Sequence, residues 1–463
     1  MPRLEPHRRR SSWAPAAAGV LLSACLVLAG CATYAPLPLP TRDDLAVSVA
    51  PQGVPPLGMN AVATLAVLNS PVLRAARGAL HVAQAQAFAA GLLPDPEFSY
   101  SGDFTMDHVT SPADPRYPEY DAYGLGLSVD LRALLTHRSR KSAASASLRQ
   151  ARLDLLWQEW QTVAEARTLY VEQAIAVERR TFLTSAEKIY SQAYARSQRA
   201  LAAGNVTLEQ TSADLALLLA VRAQLGAADR SLITTQQGLR ALLGVQADVV
   251  LPLKPLAEPV MLSRAAVRAG AARLPRSRPD LRALAAGYRA EEQNVRTAIL
   301  AQFPNISLGV TRARDVSDVH TTGFGVTLTL PIFNRGRGDI AIQRATRGQL
   351  RAEYLARLDQ STGDVWRLWN ETEELRGEAR VLDARLPRLK ANVDGARDAF
   401  DQGIFPAASY FTLVSSYLTA EATRADLLQN LWSDSIALAT TLGTQVEPRV
   451  PARAGAAGSR SRG

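Results

Sequence analysis

The chain of 463 residues is 47% hydrophobic and 21% charged, enough apolar material for buried cores, but only 6% aromatic. Alanine carries much of the apolar share, which favours long, closely packed helices over a bulky core, and two cysteines exclude a disulfide framework or a cysteine-rich metal module. Most of the +9 net charge sits at the ends, on Arg3, Arg8, Arg9 and Arg10 against Glu5, and on Arg449, Arg453, Arg460 and Arg462. A nucleic-acid surface needs basic charge clustered on the folded body, so nucleic acid is excluded as a partner.

Residues 1–30 read as a signal peptide, an arginine-rich start followed by an uncharged apolar run from Ala14 to Gly30. The run ends in Leu28-Ala29-Gly30-Cys31, which resembles the lipobox of bacterial lipoproteins. That resemblance implies cleavage before Cys31, acylation of its thiol (a palmitoylated lipoprotein) and loss of Cys25 with the signal. Ala32 after the cysteine then implies transfer to the outer membrane. An ordinary secretory signal with a chance cysteine is the alternative. Residues 31–57 read as a proline-rich, lipid-anchored spacer.

The body is a tandem repeat. Gly124-Leu-Gly-Leu-Ser-Val-Asp-Leu131 matches Gly323-Phe-Gly-Val-Thr-Leu-Thr-Leu330, and Gly204 matches Gly403, both at an offset of 199. Leu243-Gly244 matches Leu442-Gly443 at the same offset. Upstream, Pro71 matches Pro279 and Pro94 matches Pro304 at 208 and 210, so the first copy carries an insertion of 11 residues in the polar stretch Thr105 to Ala122. Repeat 1 spans 58–246, a linker 247–258, repeat 2 spans 259–446, and 447–463 is a basic tail with no ordered structure expected.

Each repeat reads as helix, strand, loop, strand, very long helix, tight turn and helix. From about Arg138 to Ala202 there is no proline, and at ~1.5 Å per residue that helix would reach roughly 97 Å. Its apolar residues recur by sevens (Leu148, Leu155, Leu169, Ala176, Leu183, Tyr190), with a second column at Leu156, Val163, Tyr170 and Val177. In the second copy the stripe continues at Tyr354, Leu368, Leu375, Leu382 and Leu389. A seven-residue period of this length predicts coiled-coil packing, with a bend at Pro387. Gly204 and Gly403 mark the hairpin tips; Thr207-Leu-Glu-Gln210 reads as a capping box, and Pro406 stands where the matching helix could start.

Four segments of alternating polarity, about 95–104, 123–133, 303–313 and 322–333, suit either an outer-membrane barrel or a half-buried soluble sheet. Four strands cannot enclose a lumen, and open edges are not tolerated in lipid. As membrane strands they require several copies per barrel, with the polar faces lining a water-filled pore.

With both repeats, Gly91-Leu-Leu-Pro-Asp-Pro96 before the first strand and Leu330-Pro-Ile-Phe-Asn-Arg-Gly336 after the fourth, the chain resembles TolC-family outer-membrane efflux proteins. Those two segments are most similar to the heavy-metal (Czc/Cus-like) branch. The resemblance covers roughly residues 55 to 445 and implies a mostly α fold with a small β part. It implies a homotrimer whose twelve-stranded barrel continues into a periplasmic tunnel of long helical hairpins, with no catalytic residues and no cofactor. A periplasmic adaptor and an inner-membrane pump, of RND type in that branch, would supply substrate and energy, with outer-membrane lipid around the barrel. The adaptor would dock at the tips, Gly204, Asn205 and Val206 in one hairpin and Gly403, Ile404 and Phe405 in the other. In some family members acidic residues six and nine positions after the second tip glycine close the entrance; here those positions are Ser409 and Thr412. Asp394, Asp398 and Asp401 just before the tip are the candidate replacements, and solvated helix faces are the alternative.

Catalysis has no motif: His81, His108, His137 and His320 are scattered, and no Ser/His/Asp spacing, phosphate loop or HExxH occurs. Met106-Asp107-His108 and Asp315, Asp318 and His320 fall in the two loops between strands, where they could touch a passing ion, but no metal site is expected. A trimeric export duct for heavy-metal cations, drugs or other organic compounds is thus weighed against a non-pore coiled-coil adaptor or scaffold lipoprotein.

Overall fold

The computed structural model describes residues 34–47, 56–103, 121–402 and 404–444. Helices α1 (Met59–Asn69) and α2 (Pro71–Ala89) lead to strand β1 (Glu97–Asp103). Strand β2 (Ala122–Asp130) runs directly into α3 (Leu131–Ala202), and α4 (Leu208–Leu243) returns alongside it. After the linker come α5 (Arg264–Ala271), α6 (Leu274–Ser277) and α7 (Pro279–Leu300). Strands β3 (Asn305–Arg314) and β4 (His320–Thr329) follow, then α8 (Arg337–Asp401) and α9 (Ala407–Leu442).

The offset of 199 holds at element ends: Asp130 and Thr329 close strands, Ala202 and Asp401 close long helices, and Leu208 and Ala407 open the returns. Gly244 and Gly443, capping α4 and α9, both take the left-handed backbone, with φ 63 and 73. An added Cβ at Gly443 would come 2.8 Å from the Trp160 ring, so close packing as well as backbone conformation requires glycine there.

The strand-to-helix junctions differ between the copies. The Asp130 carboxylate accepts the Ala133 N–H at 3.0 Å, so α3 starts seven residues before the expected Arg138 and β2 ends at Asp130 rather than near 133. In the second copy Pro331 denies a backbone donor, and an irregular turn with Gly336 at φ 67 precedes α8. The insertion between β1 and β2 lies largely in 104–120, outside the described residues.

Helix α3 is 72 residues long, which at ~1.5 Å per residue is roughly 108 Å. Of its heptad column, Ala176, Leu183 and Tyr190 are buried; in the second column Tyr170 is buried while Val177 is 47% exposed. Helix α8 continues through Pro387 as one element. Leu386 is buried beside the proline, and Asp383, whose backbone bond the proline removes, is tied to Arg424 of α9 at 3.0 Å. Burial of Leu386 and the Asp383–Arg424 pair thus anchor the weakened turn.

The main core gathers α1, α3, α4 and α9 around Tyr170, Leu239, Leu243 and Trp432. The inter-repeat linker closes over it: Lys254 O accepts from the Tyr170 hydroxyl at 2.7 Å, and Ala257 O from Trp432 Nε1 at 2.9 Å. Isolated parallel bridges pair Ala46 with Val245 and Leu57 with Leu253, so part of the stretch expected as spacer is stitched into this body. The strands form one antiparallel sheet in the order β1-β2-β3-β4, leaving β1 and β4 as its edges within one chain.

Candidate functional site

Cross-strand partners in an antiparallel ladder share a face, so the register assigns every strand residue to one side. One face carries Phe98, Leu127, Val310 and Phe324 in a single row, with Val129, Leu308 and Val326 in the next. These residues are exposed or nearly so, Phe324 by 90%. The opposite face reads Ser99, Gly126, Thr311 and Gly323, then Ser101, Gly124, Ala313 and Thr321. A Cβ at Gly124 would stand 2.6 Å from Ser101 Oγ, so glycine opposite serine keeps this face smooth. Its charged members are Glu97, Asp103 and Asp130, all acidic. No helix among the described residues is long and apolar enough to cross a membrane. The sheet has the two-faced pattern of a barrel wall, apolar outward and polar inward.

At the first tip, Asn205 N–H donates to Ala200 O at 2.8 Å and Gly204 N–H to Leu201 O at 2.9 Å, with Gly204 at φ 73. This is a Schellman closure, and the Thr207 hydroxyl then accepts from Gln210 N–H to open α4. At the second tip Ile404 N–H reaches back to Ala399 O at 2.9 Å and Pro406 stands at the N-cap; Gly403 lies outside the described residues. Exposure is uneven among the expected docking residues. Val206 and Phe405 are half-buried, Phe405 against a cluster containing Tyr410 and Phe411. The apolar side chains left open at the tips are Ile404, 75% exposed, and Leu208, 68% exposed.

That cluster joins the two hairpins, an arrangement the sequence pattern did not reveal. Phe400 stacks on Tyr410 at 5.1 Å between centroids, and Phe411 packs on Tyr190 of α3 at 5.8 Å. Burial pushes the Tyr190 hydroxyl up to about 12, with Tyr410 adding to the shift. Of the three candidate acids, all exposed, Asp401 meets the other hairpin: Arg196 Nη1 donates to it at 3.2 Å and lies 5.5 Å over the Phe400 ring. Asp394 and Asp398 have no ion pair among the described residues. Farther along, Arg424 of α9 bridges Glu178 of α3 at 3.1 Å and Asp383 of α8 at 3.0 Å.

Among the described residues no group of three His, Cys, Asp or Glu side chains could hold a metal ion. In the β3–β4 loop Asp315 accepts the Ser317 and Val319 N–H groups, and Asp318 pairs with Arg314 at 3.0 Å. Met106, Asp107 and His108, like Cys31, lie outside the described residues.

Comparison with known proteins gives one consistent answer. The multidrug resistance outer membrane protein MdtQ of Escherichia coli O157:H7 is 27% identical over 417 residues, covering 82% of this chain and 84% of that protein. The cobalt-zinc-cadmium resistance protein CzcC of Cupriavidus metallidurans is 25% identical over 390 residues, covering 79% and 85%. A crystal structure of CusC, described as forming a transmembrane channel, superposes with a TM-score of 0.69 at 18% identity, covering 88% of this chain and 99% of that one. The family described as outer membrane efflux protein matches at 62–245 and again at 272–444, one match per repeat. This chain therefore belongs to the outer membrane efflux protein family and is an outer-membrane channel protein of efflux.

Proposed function

We propose that three copies of the chain close one twelve-stranded barrel in the outer membrane, continued by the α3/α4 and α8/α9 hairpins as a periplasmic tunnel. The observation that carries this reading is the sheet itself: four strands, two unpaired edges, one apolar face and one polar face. An unclosed edge in lipid leaves backbone donors and acceptors unmet, and other copies of the chain supply the missing partners. A non-pore adaptor or scaffold would have no use for an exposed row of Phe98, Leu127, Val310 and Phe324. The duct conducts passively and catalyses nothing. A periplasmic adaptor meets the tips, and an inner-membrane pump, of RND type in this reading, drives transport. Cys31 carries the lipid anchor.

The cargo we assign is cationic. Among the described residues only acids are charged on the inward face, and three copies would ring the lumen with Glu97, Asp103 and Asp130. Similarity to CzcC supports metal cations, whereas similarity to MdtQ favours drugs as the second reading. At the entrance we assign Asp401, through Arg196, the task of holding the second hairpin against the first.

The test is purification followed by planar-bilayer recording. Heat-stable trimers whose conductance prefers cations are expected, and Glu97→Gln with Asp103→Asn should reduce that preference. A folded monomer without barrel structure would end the channel reading; unchanged selectivity in the double variant would end only the cargo assignment. Replacing Cys31 by Ser should abolish lipid labelling, and normal processing elsewhere would remove the anchor.

A further inference from the structure

On the apolar face of β3 the alternation runs Ile306, Leu308 and Val310, then turns basic at Arg312 and Arg314. The register sets Arg312 between Leu125 and Thr322, with Tyr100 beyond Leu125, and Arg314 between Tyr123 and His320. Charge on the sheet is therefore sorted twice, acids to the inward face and arginines to the outward face. The arginines stand only at the loop end, away from the helices. Arg314 is engaged by Asp318. Arg312 is exposed and has no ion pair among the described residues.

An arginine on a lipid-facing strand is tolerated near the interface and costly toward the bilayer midplane. Tyr100 in the row of Arg312 and Tyr123 in the adjoining row of Arg314 give the aromatic girdle that marks such an interface. Resting on the channel reading above, in which the helices are periplasmic, this level is the outer leaflet. Both ladder neighbours of β3 belong to its own chain, so no strand of another copy can flank Arg312 on that face. In the channel reading that face is turned to the membrane, so the guanidinium stands at the level of the lipid headgroups. A planar fork of donors matches phosphate oxygens.

We propose that Arg312, framed by Tyr100 and Tyr123, is a binding site for the phosphate of an outer-leaflet glycolipid headgroup, one per subunit. Charge complementarity and continuity with the apolar membrane face commit the site to this occupant. The test uses the purified full-length trimer in detergent, with bound lipid counted by native mass spectrometry after addition of a diphosphorylated glucosamine-disaccharide lipid. Wild type should retain that lipid in preference to its dephosphorylated form, and millimolar inorganic phosphate should not displace it. Arg312→Gln should bind about tenfold more weakly, with Arg312→Lys between the two. Equal retention by Arg312→Gln in heat-stable trimers, or equal binding of the dephosphorylated lipid, would overturn the site. Displacement by inorganic phosphate would make it a free-anion site and overturn the lipid assignment. Failure of wild type to form a trimeric barrel would instead refute the channel reading, a different result from an intact barrel indifferent to Arg312.

Discussion

At the end of the first hairpin stand Leu201, Thr211 and Ser212; 199 residues later the same places hold Phe400, Tyr410 and Phe411. Backbone closure is shared, since Asn205 and Ile404 both return a hydrogen bond across the tip. Side-chain chemistry is not. The first end is made of local polar devices, with Thr207 capping α4 and Ser197 donating to Thr211 Oγ at 3.3 Å. The second end is a wedge of aromatic rings that leans on Tyr190 of the first. A duplicated backbone has thus become asymmetric: hairpin one stands on its own caps, while hairpin two leans on hairpin one. Any motion separating them must open the Tyr190–Phe411 contact and the Arg196–Asp401 pair.

The largest break in this comparison comes from the wedge. Truncating buried Phe411 to Ala removes ring contacts with Tyr190, Phe400 and Tyr410, and should cost about 3–5 kcal/mol of local stability. The matching Ser212→Ala on exposed α4 surface should stay within about 0.5 kcal/mol. Hydrogen exchange of the tip amides reads both, and similar losses would show the asymmetry to be irrelevant.

Alkaline pH weakens the wedge next. The Tyr190 hydroxyl ionises near 10.0 when unfolded and about 12 in the fold, so the folded state holds its proton more tightly. The resulting stability is complete below pH 10 and is lost as pH rises toward 12, on the order of 2 kcal/mol in all. Exchange at the second tip should accelerate across that window, and Tyr190→Phe should flatten the response. An unchanged slope in that variant would detach the effect from Tyr190.

Smaller costs are expected at the first tip. Gly204 has nothing within 4 Å of an added Cβ, so Gly204→Ala meets no clash, only the left-handed φ of 73. That substitution should cost about 1–2 kcal/mol, and Thr207→Ala, which removes the cap to Gln210, about 1 kcal/mol. Pro406 makes no side-chain cap bond, so Pro406→Ala should lose none. Differential scanning of the three variants checks the order.

Repeat, strands and tips were legible because they rest on local signals: alternation, a seven-residue period, and glycine or proline at turns. The offset of 199 carried one copy's elements onto the other. What escaped depends on contacts distant in sequence. Asp130 reads as a strand residue until its carboxylate is seen capping α3, and nothing local to Pro387 announces the pair of Asp383 with Arg424 that anchors its turn. Val206 and Phe405 have the composition of exposed tips, yet packing between hairpins half-buries them and leaves Ile404 and Leu208 open. Aromatic residues at 400, 410 and 411 against none at the matching positions were a readable clue to the wedge.

Only a small change in stability is expected at the Arg196–Asp401 pair, yet its effect on conduction should be the most informative. Both side chains are about half exposed, 48% and 52%, so water screens the attraction and either neutralisation should cost at most about 1 kcal/mol. The pair nevertheless joins the second-to-last turn of α3 to the last turn of α8, beside the aromatic wedge that packs the two hairpins together. In the entrance role proposed for Asp401, a weak clasp near the end of two long helices would bias an opening equilibrium that need not be large. A shift of ~0.7 kcal/mol changes an open-to-closed ratio by about threefold. Asp401→Asn should therefore raise the open fraction in bilayers severalfold at ~0.1 M salt. At ~1 M salt, where the Debye length falls to about 3 Å, wild type should approach the variant. Arg196→Gln should act alike, and the double variant should add little to either single one. Asp394→Asn, on an exposed face without an ion pair among the described residues, serves as the control and should leave conduction unchanged. If Asp401→Asn conducts like wild type at both salt concentrations, the clasp has no part in closure and the aromatic wedge holds the hairpins alone.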